Sequence, residues 1–429
     1  MSEEKFDVII VGAGPAGSTA GYILANAGLE VLIIERGDFP GSKNMTGGRL
    51  YSHSLEKIIP GFSTEAPLER KVVKETVTML TEDSAVSLDF QSPLLGEEQK
   101  DSYTVLRADF DQWLAAKAEE AGAVLAPGVR VDDLLIRDGR IAGVIAGEDE
   151  MEADVVILAD GVNSLLAQKA GLKSELKPNQ VAVGVKEIIE LPASVIEDRF
   201  NLNEGEGAAR LFVGACTKGR VGGGFLYTNK NSISLGLVLT LADLTGSSHT
   251  VPEMLEEFKK HPAIKPLIKG GKLVEYSGHL VPEAGLGMVP QLYGDNVLVI
   301  GDAAGLVINV GYTVRGMDLA IASAEAAAQA VLAAKAKADF SKVTLATYKN
   351  LLEDSFVLKD LKQYHKFPEF MENHRLFRQY PQLAVDVLKD MYVIDGKQSK
   401  PLLKKVLSRT QRVGVLNILK DSWKGVRAL

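Results

Sequence analysis

Val8-Ile9-Ile10-Val11-Gly12-Ala13-Gly14-Pro15-Ala16-Gly17 is the stretch whose reading decides the fold. Four apolar residues in a row fit a strand buried on both faces. Glycines at 12, 14 and 17 follow at once, and from Ala16 to Asn26 the pattern is helical. At this spacing the first glycine makes a tight turn and the second lets backbone approach a pyrophosphate. The third lets helix pack closely on strand, and the phosphates meet the positive helix end. Gly21 extends the small-residue face by a turn. Further out, Val31 to Glu35 reads as a second strand, which makes the opening a βαβ unit. Glu35 stands 23 residues after Gly12, where an acid accepts hydrogen bonds from adenosine ribose hydroxyls and disfavours a 2′-phosphate. Pro15, Ala16 and Arg36 complete this first group of candidate dinucleotide contacts.

The chain has 429 residues, 46% of them hydrophobic and 24% charged, enough for two sizeable cores with no compositional sign of disorder. The start, Met-Ser-Glu-Glu-Lys-Phe-Asp, lacks the features of a secretory signal, so a cytoplasmic protein is expected. Apolar runs such as Ile233 to Ala242 are about half of the roughly 20 residues that a spanning helix needs, so no membrane span is expected. The single cysteine, Cys216, can form no internal disulfide and cannot hold an iron-sulfur cluster, which takes about four thiolates. It is expected to be a buried small side chain. Six histidines show no metal-ligand spacing, and no metal is expected. Residues 396–429 carry nine Lys or Arg against one Asp, a net +8 that leaves −16 for the rest of a chain of net charge −8. An acidic body argues against nucleic acid; the basic tail is a solvated face or a contact with lipid or an acidic partner.

After the βαβ unit, regular periodicity fails from Lys43 to about Phe62, and this loop-rich stretch is expected to line a site, with Gly47, Gly48 and Arg49 as candidate cofactor contacts. Residues 72 to 92 alternate like strands, and Arg107 to Ala121 reads as a helix ending at Gly122. Val129 to Leu135, Arg140 to Gly147 and Ala153 to Ala159 read as further strands, with Val131 placed at the cofactor. Short strand-like runs dominate residues 180 to 280. Asn296 to Ile300 then resumes the buried-strand pattern, followed by an alanine-rich helix, Gly316 to Ala336. The expected division is a discontinuous cofactor domain (1–75, 100–175, 285–345), an inserted, mostly antiparallel domain for substrate or quinone (76–99, 176–284) and a helical partner- or membrane-contact region (346–429).

Two later motifs separate FAD from NAD. Asp154-Val-Val-Ile-Leu-Ala-Asp160-Gly161 and Asn296-Val-Leu-Val-Ile-Gly301-Asp302-Ala-Ala-Gly305 are strands that end in acidic turns. They resemble motifs of the glutathione-reductase-like and hydroxylase-like flavoprotein superfamily, and that resemblance implies an α/β fold with a Rossmann FAD-binding domain. It also implies that Asp302 meets the ribityl chain. The helix start Gly316-Met317 would aim N–H groups and a positive dipole end at the flavin N1 and C2 carbonyl. No second glycine motif and no CxxC is present, which removes a separate pyridine-nucleotide domain and disulfide reductases.

Gly41-Ser-Lys-Asn-Met-Thr-Gly-Gly48-Arg-Leu-Tyr-Ser-His53, Ile58-Ile-Pro-Gly-Phe62 and Asn309-Val-Gly-Tyr-Thr-Val-Arg-Gly-Met-Asp318 closely resemble the FixC type of the electron-transfer-flavoprotein:quinone oxidoreductase family, related more remotely to geranylgeranyl reductases. The likeness runs from Lys5 to about His374. It implies FAD as cofactor, a flavoprotein donor of α and β subunits, and a quinone acceptor reached by peripheral contact with the inner face of the cell membrane. It further implies a place in a bifurcating complex that oxidises NADH and also reduces ferredoxin or flavodoxin, with a small ferredoxin-like subunit supplying the cluster this chain lacks. Arg107 is carried over as an FAD-side contact, or is a plain helix-start arginine. Lys43 and Arg49 sit near the isoalloxazine or are loop charges. The chemistry is carried by FAD, so no catalytic side chain is expected. A polyprenyl reductase, a non-catalytic electron-relay subunit and a flavin monooxygenase are the alternatives.

Overall fold

The computed structural model describes residues 5–43, 48–283 and 285–429. The strand Phe6–Val11 lies at the centre of an eight-stranded sheet. It pairs in parallel with Val31–Glu35 on one side and Asp149–Leu158 on the other, and Val297–Val299 and Val124–Pro127 extend the parallel array outward. Val8, Ile9, Ile10, Val155, Val156 and Ile157 have no exposed surface. Layers on both faces explain why these strands read as unbroken apolar runs rather than alternating ones. The helix Pro15–Asn26 packs on this sheet between Arg107–Glu120 and Met317–Lys337. Close approach is possible because this face of the helix is small: a Cβ on Gly21 would lie 2.4 Å from Ile33 Cδ1.

The second sheet has nine strands and is antiparallel except where Glu206–Gly214 runs parallel to Leu68–Leu80. Its outer face packs on the helices Ala193–Phe200 and Val251–Lys260 through a separate core that includes Ile196, Phe212, Leu237 and Phe258. Its other face turns toward the first sheet. Seven α-helices and one short 3-10 helix from Lys342 onward, ending in Leu402–Val413 and Val415–Ala428, form the C-terminal region.

Some expected boundaries move. Leu68–Leu80 runs without a break through residue 75, and Arg49–Tyr51, Ser102–Val105 and Leu68–Leu80 all belong to the second sheet. The chain thus enters that sheet well before residue 76, because period-2 alternation is the same in either sheet. The strand expected over Val129 to Leu135 resolves into Val124–Pro127 and Asp133–Arg137. Gly128, at φ +76, ends the first of them, and the Val129 N–H is taken up by the Glu35 carbonyl at 3.0 Å. Among the described residues one helix, Met317–Lys337, is long and apolar enough to cross a bilayer, which the run-length argument did not register; it is mostly buried, packed above all on the helix Pro15–Asn26.

Substituting Gly21→Val tests this packing. Overpacking of that contact is expected to cost about 1–3 kcal/mol, read as a lower urea midpoint at unchanged m-value; an unchanged midpoint contradicts the close contact.

Candidate functional site

Gly12 takes φ +105, and a Cβ there would sit 2.4 Å from the Ala159 carbonyl oxygen. A Cβ on Gly17 would stand 1.8 Å from the Gly12 oxygen, so the turn closes only because both side chains are missing. Gly14 is the N-cap of Pro15–Asn26 and is extended, with no side chain capping the helix, so the first N–H groups face open space. Glu35 pins this turn to the end of the second strand: Oε2 accepts the Ala13 N–H at 2.9 Å and Oε1 accepts the Gly37 N–H at 2.7 Å. The carboxylate is therefore first a backbone clamp, with spare lone pairs toward the cavity.

The other strand ends converge on the same place. Asp160 accepts the Ser164 hydroxyl at 2.8 Å, and burial raises its carboxyl above the usual range. Gly161 beside it is at φ +78. Asp302 lies in the short helix Gly301–Ala304; burial raises it, against the pull of Arg107 and Lys173. Lys173 Nζ donates to the Val162 and Ala303 carbonyls at 2.8 and 3.0 Å, which joins the two acidic turns. Nothing in its sequence setting singles out Lys173. Arg107 opens its helix, donates twice to Asp111 at 2.7 Å and feels the charge of Asp302. It is thus both helix-start residue and cavity residue. Gly316 caps Met317–Lys337, again without a side-chain cap.

These groups line one cavity of about 1420 Å³, larger than the roughly 300–1,000 Å³ of most ligand clefts. Gly12, Gly14, Pro15, Ala16, Glu35 and Arg36 form part of its wall, with Arg49, Arg107 and Val131, and with Asp160, Gly161, Asp302, Gly316 and Met317. Gly17, Gly48 and Gly301 stand behind the wall and act by close packing; a Cβ on Gly48 would press on Tyr227 at 2.9 Å and one on Gly301 on Ala16 Cβ at 2.9 Å. Gly47 lies outside the described residues. Lys43 also reaches the cavity, whereas the charge of Arg49 is met by Glu75 and its Nη2 donates to Ser102 Oγ at 2.8 Å.

The cavity continues past the dinucleotide end. Phe212, Gly222 to Phe225 and Val238 line it from the second sheet; Phe370, Phe377, Tyr380 and Gly425 line it from the C-terminal helices. Three consecutive glycines inside the strand Gly222–Thr228 were the available signal of close approach. At its C-terminal wall Arg375 donates twice to Asp421, at 2.6 and 2.7 Å, and the Tyr380 hydroxyl adds a third bond at 2.7 Å. Arg375 holds the Asp421 carboxyl far below the usual range. Residues 41 to 46 positions apart in the chain give no local pattern from which this group could be read. Cys216 is buried, and burial pushes its thiol up to about 12. Among the described residues, no cluster of three or more His, Cys, Asp or Glu could hold a metal ion.

A glycine cradle that any Cβ would fill, two uncapped helix starts and an acid at the end of the second strand fit a dinucleotide with a diphosphate. Comparison with known proteins agrees. Residues 5–201 match the model of an FAD binding domain, 181–281 match "ETF-QO, ubiquinone-binding", and 367–429 match the ETF-QO/FixC family C-terminal domain. The chain is 56% identical over its full length, and that of the relative, to "Probable electron transfer flavoprotein-quinone oxidoreductase YdiS" of Escherichia coli (strain K12). It is equally 56% identical, with full coverage of both chains, to Protein FixC of the same organism. A solved geranylgeranyl bacteriochlorophyll reductase-like structure from Thermoplasma acidophilum superposes with a TM-score of 0.71 at 21% identity, covering 97% of this chain and 99% of the other, a likeness of fold. The cofactor is FAD, and the chain belongs to the ETF-QO/FixC family of FAD-dependent oxidoreductases.

Proposed function

We propose that this chain takes electrons from an electron-transfer flavoprotein through FAD and delivers them to a membrane quinone, as the quinone-reducing subunit of a bifurcating complex. The observation that carries the reading is one continuous cavity lined from both sheets. One end is the glycine cradle, and the other is an apolar pocket walled by strands within the ubiquinone-binding match. Bound FAD supplies reversible electron and proton exchange, so the protein's work is to hold, insulate and tune it. In this reading the turn Gly12 to Gly17 cradles the diphosphate and Glu35 faces the ribose. Arg107 and Asp302 flank the ribityl chain, and the N–H groups after Gly316 face the flavin N1 and C2 carbonyl. Phe225, Phe370 and Phe377 exclude water around the quinone ring. With one cysteine, the chain leaves any iron-sulfur relay to a small ferredoxin-like subunit.

The last helix supports peripheral contact with the cell membrane. Val415–Ala428 turns Asp421 and Ala428 inward and leaves Leu416, Leu419, Trp423 and Val426 62% to 81% exposed, flanked by exposed Lys420, Lys424 and Arg427. A helix that hides its small and polar side and shows its apolar side beside cations suits an anionic lipid surface. Its inner side reaches the cavity at Ser422 and Gly425, so a quinone would enter from the bilayer next to this helix.

Two measurements check these statements. In anaerobic titration the flavin is expected to be reduced by a reduced electron-transfer flavoprotein, not by NADH alone, and to be reoxidised by a ubiquinone analogue. Reduction by NADH alone, or a reduced flavin inert to quinone, contradicts the function. Removing the whole tail would uncover the surfaces that Val413 and Ala428 are buried against and strip Arg375 of its partner Asp421, so surface substitutions are preferable. The triple variant Leu416→Asp, Leu419→Asp, Trp423→Asp is expected to keep FAD and to lose at least tenfold in binding to phosphatidylglycerol vesicles. Unchanged vesicle binding contradicts the membrane contact.

A further inference from the structure

Glu283 is an acid of the cavity wall that none of the dinucleotide contacts uses. It follows directly on the strand Lys272–Pro282, and its carboxylate oxygen Oε2 lies 3.3 Å from Asn309 Nδ2. The direction of that bond is fixed, because Asn309 Oδ1 already accepts the Gly311 N–H at 3.0 Å and only the amide nitrogen is left to face the carboxyl. Oε2 is therefore an acceptor. A proton on this side chain sits on Oε1, which has no hydrogen-bond partner among the described residues. The hairpin that carries Asn309 pairs Ile308–Asn309 with Val314–Arg315 and runs straight into Gly316, the start of the helix aimed at the flavin. Glu283 is thereby tied to the element that forms the flavin end of the cavity.

The elements around Glu283 bring it no countercharge. The segment Pro178–Gln180 offers the Gln180 carbonyl, which accepts the Glu283 backbone N–H at 2.8 Å. On its own strand, His279 lies in the field of Arg107 and Arg36. On the hairpin, Arg315 is bound to Asp318 and Asp360, while Tyr312 is coupled to Tyr364. Gly285–Met288 carries no ionisable side chain. Glu372 and His374 reach the cavity from beyond the helix Phe367–Met371, with His374 3.7 Å from Asp243. Lys173 serves Asp160 and Asp302. Burial against one amide donor pushes the Glu283 carboxyl up to about 7, so acid and conjugate base are both populated at neutral pH.

We propose that Glu283 is the proton donor for quinone reduction in this cavity. The inference rests on the quinone reading above. Each quinone takes two electrons and one proton from the reduced cofactor and a second proton from Glu283 Oε1. Two O–H bonds form on the quinone oxygens while one N–H bond that the reduced cofactor would supply and one O–H bond on Glu283 break; the carboxylate left on Glu283 takes a proton from water before the next turnover. Asn309 donates to that carboxylate and is a positioning residue.

The test uses the holoprotein, reduced anaerobically with dithionite and mixed with ubiquinone-1 between pH 5.5 and 8.5. The wild-type reoxidation rate is expected to fall as pH rises through about 7. Glu283→Gln is expected to be at least ~10-fold slower at pH 6 and nearly flat with pH. Independently of turnover, the infrared difference spectrum between oxidised and reduced holoprotein is expected to show a protonated-carboxyl C=O band that Glu283→Gln removes. Asn309→Leu deletes the one bond favouring the carboxylate and is expected to move the pH midpoint upward; it decides the matter if Glu283→Gln fails to retain FAD. An unaltered pH profile with the infrared band intact in Glu283→Gln, or an unmoved midpoint in Asn309→Leu, overturns the proposal. A wild-type protein that quinone fails to reoxidise at any pH overturns the quinone reading itself.

Discussion

The contact on which the rest of the structure depends is the one between the Gly12 turn and the Ala159 carbonyl. Two neighbouring parallel strands, Phe6–Val11 and Asp149–Leu158, end side by side there, and only a residue without a Cβ leaves room for both. Glu35 secures the third strand end by clamping the N–H groups of Ala13 and Gly37. With three strand ends held together, Asp160, Gly161 and Asp302 face one space at the carboxyl edge of the sheet, the usual ligand position in open parallel sheets.

The second sheet turns this edge into a deep cleft. It presents glycines where it meets the cavity, Gly222 to Gly224, with aromatic rings beside them. The C-terminal helices close the remaining side and are fixed there by the Arg375, Tyr380 and Asp421 group. Breaking a half-buried, bidentate pair of this kind leaves a charge without its partner, so the placement of these helices depends on that group.

What was legible in the sequence was local. The turn Gly12 to Gly17, the acid at 35 and the strand-ending turns at 160 and 302 each place a chemical requirement within a few residues, and the helix Arg107–Glu120 is bounded by Gly122 at φ +109. What was not legible depends on distant partners. The strand Leu68–Leu80 looks the same in either sheet, and its membership is settled by pairing with Glu206–Gly214 more than a hundred residues away. The nine cations of the tail were plain, but which side of Val415–Ala428 faces inward depends on Phe370, Arg375 and Tyr380. Nothing local in the sequence marks Glu283, because its setting depends on the hairpin at Asn309, 26 residues further on.

The central claim is that one cavity holds the cofactor at one end and a quinone at the other. Photoaffinity labelling with an azidoquinone, mapped by mass spectrometry of the FAD-loaded protein, addresses it most directly. The account predicts adducts within residues 212–225, 368–384 and 421–425, competed by unlabelled quinone. Adducts confined to residues outside the cavity, or indifferent to that competition, would contradict it.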